Sequence, residues 1–179
     1  MLSNVISFRS LIIALATLST SAFAGWTQDG EGSATFDAKA NVGLKIHGES
    51  KKVKVTDDGK ALVVSVALED IDTDNSLRNK HMKEDMGSDK FPTITLSVPL
   101  DKLKSEAGKS VSGEASGTFN IHGVTKDVTF KYTANCSASC EIDGTAELNL
   151  SDYGVKIRSY LGATVKPEIS VGAKFKVKK

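Results

Sequence analysis

The chain has 179 residues, 40% of them hydrophobic and only 6% aromatic, and its 23 basic residues nearly balance 22 acidic ones. A formal charge of +1 with scattered lysines and arginines leaves no electrostatic footprint for nucleic acid. After the first two dozen residues no stretch is apolar enough to suggest stable membrane insertion.

Met1 to Ala24 carries one basic residue, Arg9, an apolar run from Leu11 to Leu18, and a small-x-small Ala22-Phe23-Ala24. That order is expected of a cleaved secretory signal, with residues 25–179 as one mature domain, and the apolar run is short of the roughly twenty residues a spanning helix needs. Without Arg9 the remaining charge is zero, 22 basic against 22 acidic.

From Ala34 to Ala40 apolar and polar residues alternate, the period of a half-buried strand. Asn41 to Gly48 carries two glycines and suggests a bend. Lys52 to Thr56 alternates again and meets Asp57-Asp58-Gly59, a tight-turn signal. Ala61 to Leu68 is a more heavily buried, β-branched strand. The long interruption from Asp74 to Pro92 offers capping residues, then helix formers from Ser76, then Met86-Gly87 as a left-handed stop. It predicts one short helix over about 76–86, placed to cap an end of whatever the strands enclose.

Phe91 to Val98 returns to strand, and Pro99 to Lys104 suggests a helical turn. Ser112–Ile121 and Val124–Tyr132 read as a hairpin about His122-Gly123, and Ile142–Leu150 and Ile169–Val177 alternate in the same way. Cys136 and Cys140 are predicted to form a disulfide across a hairpin loop, since a redox pair is more often two residues apart and opens a helix. About eight antiparallel strands with one apolar face each make an all-β protein. The pattern leaves sandwich and barrel open, and a barrel of that size is either filled or just wide enough for one small ligand. Inward-facing Ala115, Gly117, Gly144, Ala146 and Ala173 are small, which fits a hollow or merely close packing.

Ile71-Asp72-Thr73, Leu77-Arg78, His81-Met82 and Lys90-Phe91-Pro92 resemble the motifs of the YceI-like family, as do Gly117 to Thr129 and Asp152-Tyr153-Gly154-Val155 with the last strand. The resemblance spans nearly the whole mature chain in order. It implies an antiparallel eight-stranded lipocalin-like barrel, export to the bacterial periplasm, and an apolar tunnel for polyisoprenoids, isoprenoid quinones or related amphiphiles. Two features depart from the family: Arg78 is followed by Asn79 where an aspartate is usual, and Met86 with polar neighbours replaces an aromatic-rich stretch.

A tail buried in such a tunnel gains on the order of 25 cal/mol per Å², without direction, so selectivity falls to polar groups near the mouth. Arg78 and His81 are the expected head-group residues, each with a structural role in the cap as its alternative. Phe91, Phe119, Ile121, Phe130, Leu148 and Phe175 are the expected tail-binding residues. His47, His81 and His122 lie in unrelated contexts, so no metal site is expected, and no nucleophile or phosphate-binding motif suggests catalysis. No cofactor is expected beyond a bound isoprenoid or quinone-type lipid. The alternative function is a periplasmic protein-interaction or stress-response module without lipid. A homodimer is left open.

Overall fold

The computed structural model describes residues 25–41, 43–160 and 162–179; the expected signal segment lies outside them. Among the described residues the alternation resolves into eleven strands. They are β1 Thr27–Gln28, β2 Ser33–Ala40, β3 Lys45–Ser50, β4 Lys54–Asp57, β5 Ala61–Ala67 and β6 Thr93–Pro99. There follow β7 Ser110–Ile121, β8 Val124–Cys136, β9 Cys140–Asn149, β10 Ser159–Tyr160 and β11 Ala163–Lys178. One α-helix, α1 Ser76–Asp85, interrupts them.

The strands form one sheet in the order β3-β2-β11-β9-β8-β7-β6-β5-β4, with β1 and β10 paired to β11, and every ladder between these strands is antiparallel. The count exceeds the expected eight for local reasons. β1 and β2 lie along the same strand β11. β3 and β4 are consecutive pieces that change partner from β2 to β5. At that break the Ser50 hydroxyl accepts from Lys52 N at 3.2 Å. β10 is a two-residue return onto the start of β11.

The sheet curls into a half-barrel, with its outermost members β3 and β4 only three residues apart in the chain. Glu49 and Asp72 exchange two backbone hydrogen bonds of 2.8 Å across the open side. Gln28 bridges the rest with its side chain: Nε2 donates to Val53 O and Oε1 accepts from Val55 N, both at 2.9 Å. The amide thus stands in for a peptide unit of a neighbouring strand.

Alternation puts Leu62, Val64, Ile121, Phe130, Leu148 and Phe175 on the inner face. At the β7–β8 hairpin both central residues are left-handed, His122 at φ 53° and Gly123 at φ 76°, the type I′ arrangement whose twist matches the strands. Cys136 and Cys140 face each other across the β8–β9 hairpin and are disulfide-bonded.

Replacing Gln28 by alanine removes the partners of Val53 O and Val55 N at a half-buried seam. The expected loss is about 1–3 kcal/mol of stability, with faster hydrogen exchange at the Val55 amide and little change on β8 or β9. Exchange rates at Val55 equal to those of the parent would show that the seam is closed by other means.

Candidate functional site: an apolar cavity under a helical roof

The half-barrel surrounds an apolar cavity with ≈ 1270 Å³ of atom-free space, the open solvent at its opening included. Among the described residues of its wall, only Thr35 and Thr145 are neither hydrophobic nor glycine. The ladder registers explain why the space exists. Across β9, β11, β2 and β3 one inner row runs Ala146, Val171, Phe36, Gly48. The next row runs Gly144, Ala173, Ala34, Ser50. A curled sheet lined by residues this small cannot reach the packing density of a solid core.

Smallness has a second cause elsewhere. A Cβ on Gly117 would lie 2.6 Å from Ser97 O, so this glycine permits close approach of β6 and β7 and does not line the cavity. Ala115 is buried and likewise absent from the wall. Of the five small inward residues the sequence suggests, Gly144, Ala146 and Ala173 face the space.

The cavity does not run the length of the barrel. Toward the disulfide, Val55, Ala134, Cys136, Cys140 and Val177 are buried but form no part of its wall, so side chains fill the axis there. Leu103 closes on the space from the segment after β6. Tyr132 fixes that segment: its hydroxyl accepts from Lys104 N at 2.8 Å and donates to Lys104 O at 3.2 Å.

At the other end Leu68, Ile71 and Leu150 join Met82 of α1, which forms the roof, and Met86 just after it. The helix starts where the Asn75 side chain accepts from Arg78 N at 3.0 Å. It stops at Gly87, φ 61°, where Gly87 N donates to Glu84 O and Ser88 N to Lys83 O, the paired bonds of a Schellman motif.

Polar ties hold the roof in place. Thr73, 2% exposed, donates its N–H and hydroxyl to Asn79 Oδ1 at 2.8 and 2.6 Å, and Asn79 Nδ2 donates to Asp72 Oδ1 at 2.7 Å. Asn79 can accept from Thr73 and donate to an aspartate at once, which a carboxylate at this position could not do. The bond from Asn79 and one from Asp74 N hold the Asp72 carboxyl below the usual aspartate range. On the far side Arg158 chelates Asp85, Nε to Oδ2 at 2.9 Å and Nη2 to Oδ1 at 2.7 Å, and reaches Glu84 at 3.2 Å. The pairing with Asp85 raises the Arg158 pKa further.

Of the residues singled out in the sequence, Phe119, Ile121, Phe130, Leu148 and Phe175 are together in the cavity wall. Arg78, His81 and Phe91 are outside it. Arg78 donates Nε to Thr73 Oγ1 at 3.0 Å and Nη2 to Thr73 O at 2.7 Å. His81 is half-buried on α1, and Phe91 packs edge-on to His122 with ring centroids 5.0 Å apart. Phe36, Gly48, Met86 and Leu103 are among the wall residues that the sequence did not single out as lining. For Phe36 the alternation of β2 was the available signal; the others depend on how distant segments cross. No group of His, Cys, Asp and Glu suited to a metal ion occurs among the described residues.

A curled antiparallel half-barrel with a helical roof and an apolar interior is a lipocalin-type architecture. The model of the YceI-like domain matches residues 20–177, and the chain belongs to that family. A UPF0312 protein of Pseudomonas paraeruginosa is 28% identical over 142 residues, covering 74% of this chain and 63% of that one. The chain thus spans under two thirds of that relative's length. A UPF0312 protein of Pseudomonas savastanoi is 27% identical over 156 residues, covering 82% and 70%.

The fold recurs in a structure described as a polyisoprenoid binding domain from Saccharophagus degradans implicated in plant cell wall breakdown. Its TM-score is 0.71 at 11% identity, over 86% of this chain and 98% of that one. Burkholderia cenocepacia BcnA gives 0.63 at 18%, over 83% and 96%. A Campylobacter jejuni YceI protein gives 0.52 at 15%, over 98% and 94%.

Asn79→Ala leaves the buried Thr73 N–H and hydroxyl without their acceptor, and is expected to cost about 1–3 kcal/mol, read as a lower melting temperature. The pH dependence has a definite sign. A carboxyl depressed in the folded state contributes stability that is complete above the unfolded value of about 3.9 and is lost as pH falls through the folded one. Melting curves between neutral and strongly acidic pH should show a shallower acid limb for Asp72→Asn than for the parent.

Proposed function

We propose that the protein is a non-enzymatic carrier or store for one amphiphilic lipid, an isoprenoid chain or isoprenoid quinone, exported to the periplasm. The cavity carries this reading: its wall is almost wholly aliphatic, aromatic or glycine, with the axis filled at one end and a helix at the other. Such a wall favours a hydrocarbon through burial of its surface and offers almost no hydrogen bonds within. Phe119, Ile121, Phe130, Leu148 and Phe175 take the tail, and the head group stays at the α1 end.

Arg78 and His81 stand on α1, at that end. With Nε and Nη2 of Arg78 committed to Thr73, its first part is to hold the roof that the head group meets. The disulfide suits an oxidising compartment, and no helix among the described residues is long and apolar enough to cross a membrane. The fold it shares with a domain described as polyisoprenoid-binding supports the class of ligand.

Protein purified from its native host without denaturation should release a prenyl or quinone-type lipid into organic solvent, detected by mass spectrometry. Gly144→Leu is the blocking variant: a Cβ there would meet nothing nearer than 3.6 Å, so the side chain has room to enter the cavity without displacing backbone. It should fold and melt close to the parent but lose the lipid. A parent that yields no lipid and takes up none would overturn the reading and favour a barrel that acts through protein contacts.

A further inference from the structure

Phe36 lines the cavity from the inner face of β2, and its partner across the ladder is Gly48 of β3. A Cβ on Gly48 would lie 2.1 Å from Phe36 Cε1, 2.7 Å from Cζ and 2.8 Å from Cδ1. Gly48 is not among the residues with positive φ. The backbone therefore does not require glycine at 48; the phenyl ring does, because it occupies the place a side chain would take. With Gly48 present, the ring is drawn back against the wall.

The position of the pair along the bore gives this contact its consequence. On the α1 side of Phe36 the next inner row is Ala38, Ile169 and Leu148. On the blind side it is Ala34, Ala173 and Gly144, and all three line the cavity. A chain admitted from the α1 end passes the ring to reach this space and the Ile142 and Phe175 row beyond it.

We propose that Phe36, seated on Gly48, is the specificity determinant that sets how deep, and so how long, an apolar chain the cavity accepts. The proposal rests on the lipid-binding reading above and adds a length limit to it. Any side chain at 48 drives the ring into the bore and shortens the space. Removing the ring opens it. Each methylene excluded costs about fourfold in affinity, from a burial contribution of about 0.8 kcal/mol. Displacing the end of a prenyl chain is therefore worth tenfold or more, on the order of a hundredfold for three or four carbons.

The test is a titration of delipidated protein with a graded series of prenols, from geraniol to solanesol. The parent should gain affinity with length up to a limit. Gly48→Ala should lower that limit, losing roughly tenfold or more for long prenols and nothing for geraniol. Phe36→Ala should raise or abolish the limit, and the double variant should recover the long prenols that Gly48→Ala loses. If Gly48→Ala does not fold, Phe36→Ala and the double variant carry the test, since neither sets a Cβ against a ring. An aromatic over a strand glycine can also serve stability alone. Folded variants with altered melting temperatures but the parent's length profile would overturn the proposal and leave lipid binding standing. A parent that binds no prenol of any length would instead overturn the lipid reading, and the length limit with it.

Discussion

The structure depends on a shortage of side-chain volume on the inner face of a sheet that has to curl. Period-two alternation commits every long strand to one apolar face, and curling turns those faces toward one another. On β9, β11, β2 and β3 two successive inner rows contain three glycines or serines and three alanines, with one valine and one phenylalanine. Interiors normally close to crystal-like density, and apolar space left open costs on the order of 24 cal/mol per Å³ in measured cavity series. The opposite end shows that this chain can fill a barrel axis, where valines, an alanine and the disulfide do so. The hollow is thus local to particular strands, which is why it reads as a place for a guest.

The roof follows a different logic from the walls. No residue of α1 is fully buried, and Leu77 on its outer face is 53% exposed. Met82 and Met86 touch the cavity, and a thioether side chain adapts to irregular surfaces. The helix is otherwise kept in position by Asn79 and Arg78 on Thr73, by Arg158 on Asp85, and by Lys83 on Glu69 at 2.6 Å. Partly exposed ion pairs contribute about 0–1 kcal/mol each. A segment secured this way opens at lower cost than a strand held by ladders on both edges. The cavity is thus bounded in two ways, by laddered strands at its walls and by side-chain ties at its roof.

Much of this was legible in the sequence because it is periodic or local. Alternation located the long strands, though β11 begins six residues before the expected Ile169; the capping residues before Ser76 and Gly87 marked the ends of the helix, and His122-Gly123 marked the hairpin. Five of the wall residues followed from which face of a strand they share. The breaks in the strands were harder. Gln28 gives no sign in its neighbours that its amide will complete a seam with β4, and β3 parts from β4 through a change of partner, not through a breaker residue. For Arg78 the sequence left head-group contact and a structural role in the cap both open, because it cannot show that Thr73 lies within reach of its guanidinium.

The sequence by itself determined that the protein is built of two-faced strands with one helical interruption and a local disulfide, since those properties depend on the order of apolar, polar and turn-forming residues along the chain. Only the tertiary structure decided that small residues on β9, β11, β2 and β3 fall into register to leave a space, while Gly117 serves close strand approach instead. It also decided that the space is blind at the disulfide end and that Phe36 meets Gly48. The reason is that volume is a property of residues brought side by side from distant strands. A one-dimensional pattern records which way each side chain points but not what stands opposite it.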